Sequence, residues 1–423
     1  MGRSIKASIA GLKVAKQALQ SKEWNKTEFA REVDCTRQTV HQFFKGEPID
    51  RSNFEGICEK LGLQWEQVAE LKPFDAESEV IGGPLRLNSR FYIQRDDVES
   101  RCYKVIKEPG AFLRIRGYRG TGKTSLLIRV GDEARRQDYK LIYINLETPD
   151  RKKFSTLREF LRYVCVLMSD ELGKEARLDQ YWNEDLGCND STKDYFEEYL
   201  LRDLDAPLVF ILDNFDRVFR ELEPKDANDF CGLIRTWHEA AMHSTEIGKT
   251  WQQLRLVIAH STEFYGLTDT YFSPFEGIRE VVSLEDFSQK QGDDLVKQHG
   301  LNFPPSQVEQ LMDLVGGHPY LFQLALNFLK SPEVSLEKLL QTAPTEREPF
   351  GNHLRQLLGN LQEHSHRKTY FYQVITANAP VRLGSIEAFK LQGMGLVKQQ
   401  DDGWIPRCKL YSQFFSREID LQG

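Results

Sequence analysis

Phe112–Leu127 reads FLRIRGYRGTGKTSLL, and its reading decides how the rest of the chain is understood. Phe112, Leu113 and Ile115 make a short apolar-rich run that predicts a strand. Gly117, Gly122, Lys123 and Thr124 then fit G-x-x-x-x-G-K-[ST], the pattern of a phosphate-binding loop, and a helix is predicted to start there. Gly120 and Gly122 let the backbone turn so that successive N–H groups face one anion. The helix N-terminus adds partial positive charge. Lys123 is a point charge for the β- and γ-phosphates of a nucleotide, and the Thr124 hydroxyl is a ligand for Mg²⁺. Thr121 and Ser125 complete the candidate phosphate-contacting set.

Downstream, strands and helices alternate as in a parallel α/β sheet. Leu141–Asn145 predicts the second strand. Leu157, Phe160, Leu161, Val164, Leu167 and Met168 mark the buried face of a helix. Leu208–Leu212 is an unbroken apolar run ending in Asp213, as expected of a strand buried on both faces. A carboxylate at the carboxyl end of such a strand lies beside the phosphate loop, where Asp213 would hold Mg²⁺ through water. Asn214 follows. An amide orients water but takes no proton, so hydrolysis is expected to be slow. Asp216 either substitutes as the base or pairs with Arg217 or Arg220. Leu256–Ala259 predicts a further strand, after which Ser261 and Thr262 are either γ-phosphate reporters or ordinary turn residues. Glu280–Leu284 reads as the last strand.

The 423 residues predict roughly two to four domains. A net charge of −7 means that any nucleic-acid contact must come from a local patch. Seven scattered cysteines without a C-x-x-C pair predict free thiols in a reducing compartment. No apolar run approaches membrane-spanning length and the N-terminus lacks a signal-peptide core, so a cytoplasmic protein without membrane contact is expected.

Residues 1–72 read as a small helical unit. Leu12–Leu19 has helical spacing, and two short helices follow, with Thr27 and Thr36 as candidate N-caps and Gly46 as the stop of the second. Ala30 is small where the two would cross, and Val40 and Phe43 face inward. Phe54, Ile57, Cys58, Leu61 and Leu63 would close the bundle. The segment resembles the Cro/repressor-type helix-turn-helix. That resemblance implies DNA contact through Arg37, Gln38, Thr39, His41 and Gln42 at the start of the second helix. Lys or Arg at 3, 6, 13, 16, 22, 26, 31, 37 and 45, against Asp or Glu at 23, 28, 32 and 34, suits phosphate contacts. A protein-docking module is the alternative.

Residues 73–90 are expected to be a linker becoming an extended arm near Leu85, and 91–285 the nucleotide-binding α/β core. Residues 286–345 read as helices with aliphatic faces over Val308, Leu311, Leu314, Leu321, Leu324, Leu326 and Phe328. Residues 346–423 read as three helices and a β-hairpin around the turn Asp401-Asp402-Gly403, a winged helix. Its tip, Asp401 and Asp402, would repel phosphate, which favours a regulatory role over DNA binding, and Tyr370-Phe371-Tyr372 is assigned to its core rather than to a base-stacking surface.

Taken in order, GGPLRLNSRFYIQR, RGTGKTSLL, YWNEDLG, ILDNFDRVF, RLVIAHSTE, GGHPYLFQLAL and GLVKQQDDGWIPRCKLY resemble the AAA-like domain of cyanobacterial signalling proteins, within the STAND class of P-loop ATPases. The resemblance covers residues 82 to about 419 and implies that the helices of residues 286–345 form a helical lid. It implies that Tyr92–Arg95 lines an adenine site, with Gln94 where glycine is usual. It further implies that Gly317-His318-Pro319 is the G-x-P motif, with Pro319 near the base and His318 a candidate phosphate contact. Pro319 also suits a helix start. Arg119, Arg217, Arg235 and Arg255 all remain candidate arginine fingers.

The resulting expectation is an ATP- or ADP-binding, slowly hydrolysing regulatory switch. Its N-terminal segment would engage DNA or a partner protein, and the protein as a whole is expected to bind a protein partner or to self-associate under nucleotide control. A DNA-remodelling or loading ATPase, and a transcription factor with structural nucleotide, are the alternatives.

Overall fold

The computed structural model describes residues 4–420 apart from 23, 25, 34, 64, 69–81, 184, 262–274, 276, 332 and 364. The chain forms two units, Met1–Val80 and Ile81–Gly423.

In the first unit, strand β1 (Ser4–Ile5) pairs antiparallel with β2 (Ile49–Asp50). Helices Ile9–Ser21, Lys26–Glu32, Arg37–Lys45, Arg51–Leu61 and Trp65–Val68 surround one apolar cluster. Local chemistry sets the ends of the third helix. The Thr36 hydroxyl accepts from Thr39 N–H at 3.1 Å, and Gly46, at φ 75°, closes it in the left-handed conformation. The second helix is Lys26–Glu32, which puts Thr27 within its first turn rather than ahead of it. Val40, Phe43, Phe54 and Ile57 are fully buried, and the Phe43 and Phe54 rings lie 5.0 Å apart.

The second unit is built on a five-stranded parallel sheet: β3 (Phe112–Arg116), β4 (Lys140–Asn145), β5 (Leu208–Asp213), β6 (Leu254–His260) and β7 (Val281–Ser283). Their spatial order is β4-β5-β6-β3-β7. Every residue of β5 and β6 is buried, because helices cover both faces. All strands run the same way, so the carboxyl ends of β3, β4, β5 and β6 fall on one edge. Helix Lys123–Arg136 follows β3 directly.

After β7 the chain is mostly helical. Phe91, Leu311, Phe322, Leu354, Phe371, Leu391 and Phe415 belong to one continuous apolar cluster, so the segments on either side of residue 346 share a core. Phe371 is fully buried between the partly buried Tyr370 and Tyr372. Helix Ser385–Gly393 leads into β8 (Val397–Gln400), which pairs antiparallel with β9 (Gly403–Pro406) across a turn holding Asp401 at φ 50°.

Candidate functional site

A cavity of about 590 Å³ opens at the carboxyl edge of the sheet. Its floor is the loop between β3 and helix Lys123–Arg136. Gly120 and Gly122 hold φ 89° and 99°, which favours glycine. A Cβ on Gly120 would also stand 2.7 Å from the His318 ring. Lys123 Nζ donates to the carbonyls of Gly117 at 2.6 Å and Tyr118 at 3.2 Å. The opening N–H groups of the following helix have no intrahelical acceptors, so the floor presents donors and positive charge.

Asp213 is fully buried at the end of β5. Its Oδ2 accepts from the Thr124 hydroxyl at 2.8 Å and from the Tyr143 hydroxyl at 2.6 Å. Its Oδ1 accepts from Asn214 N–H at 2.8 Å. Burial, then the Asp213 charge, pushes the Tyr143 hydroxyl's pKa up, so it stays protonated and donates. Asn214 sits at φ 56° and donates from Nδ2 to Asn145 Oδ1 at 2.9 Å.

Asp216 takes a partner other than the two expected arginines. Its carboxylate accepts from Ser261 N–H and hydroxyl rather than from its neighbouring arginines. Arg217 donates to the Leu146 carbonyl and approaches Glu221, and Arg220 pairs with Glu147. Ser261, Asn214 and Asp216 line the cavity. Thr262 lies outside the described residues.

Among the arginine candidates, Arg119 lines the cavity. Arg235 faces Glu239, and Arg255 is spent on the carbonyls of Gln252 and Gln253.

The far wall brings in Phe91, Tyr92, Ile93, Arg95, Phe287 and Pro319. Arg95 donates to the Thr121 carbonyl at 3.1 Å and lies over the Phe287 ring. Burial lowers its pKa. Pro319 opens helix Pro319–Phe328, as a helix-starting proline is expected to, and lines the cavity. His318 does not line it. Its ring is 1% exposed, packs edge-on to Tyr118 at 4.9 Å between centroids, and accepts from Leu321 N–H as the helix cap.

Three features were not anticipated. Gly82–Leu85 lines the cavity as a strap, held where Leu85 N–H donates to Ser125 Oγ at 2.9 Å. Thus the Ser125 hydroxyl faces the strap. The Glu147–Arg220 ion pair lines the opposite side. Tyr143 reaches Asp213 from the adjoining strand. The position of Glu147, just past a strand end at the ligand edge, was a usable signal. Strap and tyrosine carried none.

In the N-terminal unit, Arg37, Gln38 and His41 are exposed, and Thr39 and Gln42 are partly so. The Thr39 hydroxyl is hydrogen-bonded to that of Thr36 at 2.8 Å.

The residues present fit a Mg²⁺-nucleotide. The cavity volume falls within roughly 300–1,000 Å³, usual for ligand sites. Thr124 and Asp213 offer the hard oxygen donors that Mg²⁺ takes.

Fold and site together are those of a P-loop ATPase. Residues 80–417 match the AAA-like domain family, and the chain belongs to it. The walker-type ATPase PABY2304 of Pyrococcus abyssi is similar in fold at 13% identity, with a TM-score of 0.52 over 81% of this chain and 99% of that one. The STAND protein PH0952 of Pyrococcus horikoshii, which carries a tetratricopeptide repeat sensor, gives a TM-score of 0.38 at 14% identity, covering 81% of this chain and 44% of that one. The Aeropyrum pernix ORC2 protein gives 0.39 at 14% identity over 82% and 99%. Comparison with curated protein sequences finds no match. Among the described residues no helix is long and apolar enough to cross a membrane.

Proposed function

We propose that this chain is a nucleotide-controlled switch that binds ATP or ADP with Mg²⁺ and hydrolyses ATP slowly. The observation that carries the reading is Asn214. It stands beside Asp213 at the cavity, bonded through its amide to Asn145, in a site otherwise equipped for phosphate. An amide there orients a water without accepting its proton.

Lys123 and the loop N–H groups hold the phosphates, and Arg95, Tyr92 and Pro319 border the space for the base. Thr124 and Asp213 would hold Mg²⁺, which when bound neutralises phosphate charge. Asp216 is the remaining carboxylate near the phosphate end, and its bonds to Ser261 tie the ends of β5 and β6 together. A switch needs unequal nucleotide affinities in its two states.

The C-terminal helices and hairpin are read as a regulatory winged helix. Helices Lys26–Glu32 and Arg37–Lys45 are read as a helix-turn-helix that engages DNA or a partner protein. Exposure of Arg37, Gln38 and His41 supports that part of the reading.

Steady-state ATP turnover, with and without duplex DNA, against Lys123→Ala tests the proposal. The expected result is turnover below about one per minute, far under the enzyme median of about 10 per second, with nucleotide bound by the wild type and lost in Lys123→Ala. Fast turnover stimulated by DNA would replace the switch with a DNA-remodelling ATPase.

A further inference from the structure

Tyr118 lies inside the phosphate loop and faces two sets of partners. Its carbonyl accepts from Lys123 Nζ at 3.2 Å and from the Thr121 hydroxyl at 3.0 Å. Its side chain is 5% exposed and is held from the other end of the chain. The hydroxyl donates to Asp286 Oδ1. Asp286 Oδ2 accepts from Arg407 Nη1 at 2.8 Å, and the Arg407 guanidinium lies over the Tyr118 ring, 4.0 Å from its centroid.

Arg407 immediately follows β9 and is 6% exposed. Its Nη2 donates to the Val397 carbonyl at 3.2 Å, and its backbone N–H donates to the Leu396 carbonyl at 2.9 Å. Gly395 completes the seat, since a Cβ there would stand 2.9 Å from the Tyr118 ring. The hairpin therefore delivers a buried cation to the loop residue whose carbonyl holds Lys123.

Stability alone does not call for this arrangement. A buried ion pair is commonly no more stabilising than well-packed apolar residues of similar volume, because both charges are desolvated. What a guanidinium adds is fixed geometry: two directed bonds and a flat face on an aromatic ring.

We propose that Arg407 is a positioning residue for the phosphate loop. Through Tyr118 and Asp286 it fixes the loop backbone that carries Lys123, so the seating of the C-terminal hairpin and the affinity for nucleotide phosphates rise and fall together. The affinity half rests on the nucleotide-binding reading above. Linkage then requires that bound nucleotide tighten the hairpin by the same factor.

The test uses the full chain as wild type, Arg407→Met, Arg407→Lys and Tyr118→Phe. Lys409→Met is the control, because it removes the nearby ion pair with Asp313 and does not touch the loop. Amide exchange is read over residues 117–125 and 397–406, and ADP affinity by titration of a fluorescent ADP. Arg407→Met is expected to speed exchange of the loop without nucleotide and to weaken ADP about tenfold, within the usual range of coupling between linked sites. Arg407→Lys recovers part of both. Tyr118→Phe and Arg407→Met combine non-additively, because they break one network. ADP slows exchange of the hairpin in the wild type but not in Arg407→Met.

Unchanged loop exchange, additive effects, tighter ADP binding, or an equal effect from Lys409→Met would overturn the proposal. If the wild type binds ADP no better than Lys123→Ala, the nucleotide reading and the affinity half fall together, while loop exchange still decides whether Arg407 holds the loop. If Arg407→Met does not fold, Arg407→Lys and Tyr118→Phe carry the same comparison.

Discussion

The Asp216 carboxylate receives two groups of Ser261, the backbone N–H at 2.8 and 3.0 Å and the hydroxyl at 2.7 Å. This bond spans the carboxyl ends of β5 and β6, and both residues line the cavity. Asp216→Asn is expected to destabilise the second unit by about 2 kcal/mol, since hydrogen bonds to a charged group contribute roughly 1.5–3. Ser261→Ala, which spares the N–H bond, is expected to lose only about 1 kcal/mol. Chemical denaturation measures both. Equal losses would mean that the hydroxyl carries the whole contact.

Asn214 provides a gain-of-function test. Asn214→Glu places a carboxylate where water is to be activated, and general-base catalysis typically contributes about 10²–10⁴ in rate. Turnover is expected to rise at least about tenfold. Because Asn214 sits at φ 56°, a left-handed conformation that asparagine tolerates better than glutamate, the variant also loses about 1 kcal/mol of stability. If turnover is unmoved by Asn214→Glu and abolished by Asp216→Asn, Asp216 is the base.

The strap gives a kinetic prediction. Ser125 Oγ accepts from Leu85 N–H, while Arg129 donates to Ser125 and to the Arg86 and Leu87 carbonyls at 2.8, 3.1 and 3.3 Å. These bonds tie Leu85–Leu87 to the phosphate-loop helix. Ser125→Ala removes the side-chain acceptor for the strap and should release bound ADP several-fold faster, about 1 kcal/mol for one neutral hydrogen bond. Stopped-flow displacement of fluorescent ADP checks it. An unchanged off-rate would mean that the strap does not gate the cavity.

Two buried histidines predict a pH dependence. Burial, with the positive charge of Arg119 second, lowers the His353 pKa to about 4, and its Nε2 bonds the Tyr411 hydroxyl beside His318. Burial, then Lys330 and Arg90, lowers His299 to about 3 against the Phe91 ring. Both values lie below the unfolded value of about 6.5, so the unfolded state binds these protons first. Their stabilisation is complete above pH 6.5 and is lost as pH falls from there towards about 4 and about 3. Each group contributes a slope of up to about 1.4 kcal/mol per pH unit. His299→Phe is expected to flatten the fall in thermal midpoint between pH 6.5 and 5, where few carboxylates titrate. An unchanged slope would count against a neutral, buried His299.

Much of the parallel α/β core was legible in advance because its signals are local. A glycine loop needs glycines at positive φ, a strand buried on both faces needs an unbroken apolar run, and a helix needs its cap. Gly120 and Gly122, Leu208–Asp213 and Thr36 each carry that requirement in their own few residues. Thr27 instead stands within the first turn of its helix, a position that the residue type alone does not distinguish from the cap.

By itself, then, the sequence determined the parallel sheet, the phosphate loop and the carboxylate that faces it, since period, glycine placement and strand-end chemistry are properties of adjacent residues. Only the tertiary structure decided what those residues touch. It turned Asp216 to Ser261 rather than to arginine, brought Tyr143 to Asp213 from another strand, and buried His318 beneath Gly120. It also set Arg407 on the ring of Tyr118. These pairings join residues far apart in the chain, and nothing in either partner's neighbourhood specifies the other. The common edge of the sheet and the shared helical core bring them together.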